Sequence, residues 1–185
     1  MSTICKIVIK SGQIKKIIGI VEHHASVASE TDSTVDIFPR LYDNFLASYE
    51  RPSLYFIGLV SGSLVEIQYN SFNFCDGLAS ALSKELGVRV VVLQHQSIAT
   101  AGYFALYANG QKVRSISFGD GEIEESFGDL LEFEIEPLGH EIVDEEGNYF
   151  CFDVDDLDEY LEALGIETTT YSAEADNWIV VDSMS

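Results

Sequence analysis

Ser71–Phe118 reads SFNFCDGLASALSKELGVRVVVLQHQSIATAGYFALYANGQKVRSISF, and its reading decides the fold. Phe74, Leu78, Ala81, Leu82 and Leu86 recur at the spacing that lines one face of a helix. Ser71 or Asn73 can serve as N-cap, and Asp76 in the first turn opposes the positive end of the helix dipole. Gly87 follows where a left-handed backbone closes a helix. Val88–Gln94 (VRVVVLQ) is apolar and β-branched, as buried strands are. Tyr103–Ala108 and Gln111–Phe118 flank Asn109-Gly110, a pair suited to the positive φ angles of a two-residue hairpin turn. Strict alternation from that turn sets Leu106 opposite Val113 and Phe104 opposite Ser115 on one face. It sets Tyr107 opposite Lys112, Ala105 opposite Arg114 and Tyr103 opposite Ile116 on the other. The first face is the expected core. The second carries two tyrosines and two cations and reads as exposed or partner-facing.

Upstream, Thr3–Lys10 (TICKIVIK) alternates as a strand does. Ile14–Val21 is too short an apolar run to separate strand from helix; around Ser11-Gly12 it points to an N-terminal hairpin. His23–Ser33 is small and polar and reads as a loop. Val35–Tyr49 has apolar residues at helical spacing, with Asp36 as N-cap and Pro39 in the first turn, where its missing N–H costs nothing. Ser53–Val60 and Ser63–Tyr69 flank Ser61-Gly62 as a second hairpin. Its first strand is almost continuously apolar and reads as central; its second alternates and is expected to keep one face wet.

Downstream, Glu122–Phe127 reads as an edge strand whose carboxylates discourage pairing. Leu130–Ile135 alternates loosely, Pro137–Asn148 reads as an acidic loop and Tyr149–Phe152 as a short strand. Asp153 or Asp155 caps a helix with Leu157, Tyr160, Leu161 and Leu164 as its buried stripe and Gly165 as its stop. Thr168–Tyr171 and Trp178–Val181 are expected terminal strands. The expected fold is α+β: a mostly antiparallel sheet of hairpins packed against two or three helices. It forms one domain over residues 1–185, with 119–185 as an acidic lobe.

The charge layout is the best lead to function. All ten Lys and Arg lie at or before Arg114, among nine acidic residues, whereas residues 115–185 carry 22 acidic side chains and no Lys or Arg. Such a surface repels nucleic-acid phosphate and anionic membranes and favours a basic protein partner. The 46% hydrophobic content argues for a packed core rather than an acidic disordered chain. No run approaches the roughly 18 apolar residues that span a membrane. The N-terminus shows no basic segment followed by an apolar one, and Cys5, Cys75 and Cys151 are far apart in sequence, so a reduced, cytoplasmic protein is expected.

No motif for catalysis, a metal or a cofactor stands out. Asp153–Glu159 (DVDDLDE) fails the calcium-loop pattern, which needs oxygens at positions 1, 3 and 5, glycine at 6 and glutamate at 12. Acidic residues in a first helical turn explain it. His23, His24, His95 and His140 form no HxH or HxxxH pair. His95, between Gln94 and Gln96 at the end of a buried strand, is the most site-like of the four. The expected partner-binding residues are Glu122, Glu124, Glu132, Glu134, Asp144, Glu145 and Glu146. Tyr103, Tyr107 and Trp178 are the expected aromatic anchors.

Leu78–Phe118, with its Leu86-Gly87 helix end, its strand and its GYFALYANGQKVR hairpin before an acidic Gly/Glu segment, resembles small uncharacterised bacterial proteins of the polymorphic-toxin immunity type. The resemblance implies an inhibitory binding protein and brings no active-site residues with it. The expected function is thus a protein-binding module, most concretely an immunity protein that occludes a basic toxin. The same acidity also fits a nucleic-acid mimic acting on a DNA-binding protein, and His95 leaves room for a small hydrolase or transferase.

Overall fold

The computed structural model describes residues 3–25, 31–33, 52, 54–72, 75–97, 99–144, 147–171 and 178–182. The helix expected over Val35–Tyr49 lies outside them. The strands are β1 (Thr3–Lys10), β2 (Thr31–Ser33), β3 (Leu54–Ser61), β4 (Leu64–Tyr69), β5 (Val90–Gln96), β6 (Ala101–Ala108), β7 (Gln111–Gly119), β8 (Glu122–Phe127), β9 (His140–Asp144), β10 (Gly147–Cys151) and β11 (Trp178–Asp182). The described helices are α1 (Ile14–Ala25), α2 (Asp76–Leu86) and α3 (Val154–Ala163). Among the described residues, nine strands form one antiparallel sheet in the order β2-β11-β3-β4-β1-β5-β6-β7-β8, and β9 and β10 form a separate two-stranded ribbon. This is an α+β architecture with helices on both faces of a central sheet.

The first sheet face packs on α1 and α2. Ile7, Ile57, Ile67, Val90, Val92 and Ala105 meet Ile17, Val21, Ala79 and Leu82 in one core cluster. The N-terminal hairpin is corrected: Ile14–Ala25 is helical, because both edges of β1 are already taken by β4 and β5. Fully burying Ile17 and Val21 contributes about 1.5–3 kcal/mol each. That outweighs the roughly 0.5 kcal/mol per residue by which β-branched side chains disfavour a helix.

Helix α2 starts at Cys75, in a left-handed conformation with no side-chain cap, rather than at Ser71. It ends as expected at Gly87 (φ 66°), whose N–H bonds to Ser83 O. Its outer turns grip the Asn109-Gly110 turn: Ser80 Oγ donates to Gly110 O (2.6 Å) and Gly110 N–H donates to Ser83 Oγ (2.9 Å).

The hairpin register departs from strict alternation by one residue. Tyr107 pairs with Lys112 as expected, but a bulge at Val113 then sets Leu106 opposite Arg114 and Phe104 opposite Ile116. A bulge places two residues against one, so the side chains beyond it change faces. Lys112 stays with Tyr107 on the side that packs on α1 and α2, 2.8 Å from Asp76 Oδ2. Arg114 turns to the opposite side, with Leu106 and Phe104, and is fully buried. Gly128 (φ 85°) lets the chain leave β8 against this bulge, since a Cβ there would sit 2.1 Å from Val113 O.

The second face is covered by the acidic part of the chain. Val8, Val91, Leu93, Phe104, Leu106, Ile116 and Phe118 pack against Phe152, Leu157, Tyr160, Leu161 and Ile166, so residues 152–166 share a core with the sheet. This overturns the wet face of β4, where Glu66 and Gln68 are buried. Lys6 Nζ donates to Glu66 Oε1 (3.1 Å) and to Thr169 O, and Thr168 Oγ1 donates to the same Glu66 oxygen (2.6 Å). The strand expected at Thr168–Tyr171 is therefore an irregular segment held by polar contacts to the sheet. Leu130–Ile135 is likewise not a strand, and Pro137–Asn148 is not a plain loop but supplies β9 and the start of β10.

Arg114 Nε donates to both Glu134 oxygens (3.0 and 2.9 Å), and its Nη1 donates to Ser126 Oγ (2.7 Å) and Phe127 O (2.9 Å). Glu134 also accepts from Leu131 N–H (2.6 Å) and Tyr160 Oη (2.5 Å). Arg114→Met leaves that buried carboxylate without its cation and is expected to lower unfolding stability by about 3–5 kcal/mol, with most of the loss regained in Arg114→Met/Glu134→Leu. Urea denaturation of the three proteins measures this; a single mutant as stable as wild type would show that the pair does not hold the acidic segment.

Candidate functional site

Helix α3 organises the acidic layer. Its N-cap is Asp153, whose side chain accepts from Asp155 N–H (2.8 Å), while Asp156 Oδ2 reaches back to Asp153 N–H (2.8 Å) to close a capping box. Leu157, Tyr160 and Leu161 face the sheet, and the ring of Tyr160 lies 4.9 Å from that of Phe104 and 5.6 Å from that of Phe152. The stripe turned away from that core carries Asp155, Asp158, Glu159 and Glu162. With Glu167 and Val60 they line an open cleft of about 840 Å³ between α3 and residues 165–169. Among the described residues the lining holds five carboxylates and no Lys or Arg, with Lys10 Nζ donating to Gly165 O (3.2 Å) at its edge, and such a cleft attracts positive charge.

The expected site residues are dispersed. Glu122 and Glu124 are exposed on the edge strand β8, and Glu132 is exposed beyond it. Glu134 is corrected from a surface carboxylate to the buried partner of Arg114. The Asp144 side chain, Glu145 and Glu146 lie outside the described residues. The three aromatic anchors are also corrected. Tyr103 and Tyr107 belong to the α1/α2 core, with Tyr107 Oη donating to Asp76 Oδ1 (2.5 Å), and Trp178 is buried against Phe56 and Val180. Alternation placed the tyrosines on the correct face; helix α2, lying over that face, buries them.

Two features escaped the sequence reading. The cleft carboxylates recur at 155, 158, 159 and 162, a helical stripe that the first-turn explanation of DVDDLDE obscures. The large apolar side chains exposed among the described residues are Phe127, Leu130, Ile135, Val143, Tyr149 and Phe150, with Leu59 and Val113 elsewhere. On the β9–β10 ribbon, Val143 lies opposite Asn148 and Phe150 opposite Glu141, which puts Val143 and Phe150 on one face.

His95 lies buried at the end of β5, where its Nδ1 bonds to the Tyr171 hydroxyl and its ring stacks on Phe118. A cleft of about 240 Å³ runs alongside, lined in part by Gln94, His95, Gln96 and Glu124. Elsewhere, the ligand atoms of His140, Cys151 and Asp153 lie within 4.8 Å of one another. No sequence spacing announces this cluster; the β9–β10 register creates it by setting His140 opposite Cys151. Among the described residues no helix is long and apolar enough to cross a membrane.

Comparison with known proteins finds no matching family model, no matching curated protein and no matching solved structure.

Burial pushes the His95 imidazole below its ordinary pKa, against a smaller opposing pull from Asp153 and Asp158. The unfolded chain therefore takes up a proton near pH 6.5 that the folded chain refuses. Stability from this group is complete above pH 6.5 and is lost as the pH falls below it. The urea midpoint is expected to drop between pH 7.5 and pH 5.5, and less steeply in His95→Gln; equal slopes for the two proteins would remove His95 as the cause.

Proposed function

We propose that this chain is a protein-binding module acting in the cytoplasm, most concretely an immunity protein that neutralises a basic toxin by covering its working surface. The observation that carries this reading is the segregation of exposed apolar side chains. Of the eight large hydrophobics exposed among the described residues, six fall between Phe127 and Phe150, inside the part of the chain that has no Lys or Arg. Exposed aromatic and aliphatic side chains among charged ones are the composition of a recognition surface, where the apolar groups anchor and the charges select.

The chemistry of such a partner follows from the charge. Lys and Arg on its surface would meet Glu122, Glu124, Glu125, Asp129, Glu132 and Glu141, which are all exposed. Long-range attraction to this field raises the rate of encounter, while desolvated apolar contacts set the lifetime of the complex. The α3 cleft extends the same acidic field and suits a protruding basic loop. Inhibition by occlusion needs no catalytic group on this chain.

With a basic toxin domain as the test partner, the association rate is expected to fall at least about tenfold between 0.05 and 0.5 M salt, as screening shortens the reach of the charges. Val143→Ala and Phe150→Ala, which share one face of the ribbon, are expected to weaken binding by about 30-fold each, the effect of losing an interface anchor, chiefly through faster dissociation. Stopped-flow and surface-based kinetics separate the two effects. A rate indifferent to salt, or a complex indifferent to both substitutions, would refute this surface as the contact.

A further inference from the structure

We propose that His140, Cys151 and Asp153 form a binding site for a zinc-class divalent metal, which ties the β9–β10 ribbon to the start of α3. The donors are one imidazole nitrogen, one thiol and one carboxylate, the N/S/O set that borderline-soft Zn²⁺ accepts and that hard Mg²⁺ and Ca²⁺ do not favour. Their ligand atoms lie within 4.8 Å of one another. Ligands around tetrahedral zinc stand about 3.3–3.8 Å apart, given metal–ligand bonds of about 2.0–2.3 Å. Closing that difference takes shifts of about 1 Å or less, within the reach of side-chain rotation.

The framework around the three donors is rigid where it matters. Cys151 sits opposite His140 in the ribbon, and Phe152 N–H bonds to Gly121 O (2.9 Å), which fixes the chain just after the thiol. Gly121 (φ 81°) abuts the thiol so closely that a Cβ there would lie 2.8 Å from Cys151 Sγ. Asp153 is held by the capping box of α3. Asp156 Oδ2 lies 3.1 Å from His140 Nδ1 and orients the ring, as carboxylates beside metal-binding histidines do. The His140 side chain is 45% exposed, which leaves an entry path and room for a water ligand.

As the S–metal bond forms, the thiol proton passes to solvent, and the thiolate and the Asp153 carboxylate together balance the charge of the ion. A disulfide is not the competing fate of this thiol within the chain, because Cys5 and Cys75 are buried in the α1/α2 core on the other side of the sheet.

The test uses the full chain stripped with EDTA. Zinc titrated calorimetrically is expected to bind once per chain, and excess Mg²⁺ or Ca²⁺ is expected not to displace it. Co²⁺ is expected to give a thiolate-to-cobalt charge-transfer absorption. Cys151→Ser should abolish that absorption and weaken zinc binding at least a hundredfold, and Asp156→Asn should weaken it about tenfold. Zinc should also slow alkylation of Cys151 in the wild-type protein, located by peptide mass analysis, a readout that depends on no variant folding. Absence of the charge-transfer absorption, alkylation unchanged by zinc, or zinc binding undiminished in Cys151→Ser would each overturn the proposal.

Discussion

A buried ion pair between Arg114 and Glu134 joins the two differently charged parts of this chain. Arg114 is the last cation in the sequence, and Glu134 lies in the segment that has none. The pair exists because of a single extra residue: without the bulge at Val113, Arg114 would share the α2 side of the sheet with Lys112. The cost of removing both charges from water is of the same order as their attraction, so the pair adds little net stability. Its effect is on choice of structure. A buried guanidinium with five possible donors demands acceptors, and those supplied by Glu134, Ser126 and Phe127 permit one course for residues 126–134.

Lys6 on β1 and Glu66 on β4 perform the parallel task three and four strands across the sheet from β7. Burial lowers the Lys6 pKa, and the adjacent Glu66 carboxylate opposes that shift. Thr168 and Thr169 are further partners of this pair, so the segment after α3 is also fastened by polar groups rising from the sheet. Between the two ion pairs lies an aromatic cluster of Phe104, Phe118, Phe152 and Tyr160. The acidic layer is thus bound to the sheet by oil in the middle and by charge pairs to either side. Among its carboxylates, Glu134 and Asp156 are taken inward, while those on β8, on the ribbon and on the outer stripe of α3 remain to act on what lies outside.

Local chemistry made much of the scaffold legible. Asn109-Gly110, Gly87 and Asp153 announce a turn, a helix end and a helix start through requirements that each residue meets by itself: positive φ, a left-handed stop, a side-chain acceptor. The working surface was less legible. Tyr103, Tyr107 and Trp178 look like anchors in a one-strand reading because each is polar-edged and aromatic, yet α2 and β3 lie over or beside them. Glu134 looks like its exposed neighbour Glu132 until Arg114 is placed beneath it. The exposed Tyr149 and Phe150 carry no mark in the sequence, since an apolar residue on a strand is read as core by default, and Val143 lies in a stretch that reads as an acidic loop.

The sequence by itself determined the strands and helices whose residues satisfy short-range rules, and the division of the chain into a balanced part and a wholly acidic one. Tertiary structure alone decided whether Ile14–Ala25 became a helix, which face of β4 stayed dry, where Arg114 pointed, and that His140, Cys151 and Asp153 would meet. The reason is one of range. Backbone conformation responds to residues within a few positions, whereas burial and the pairing of charges depend on what a second, distant segment lays on top, and here that segment is the acidic layer itself.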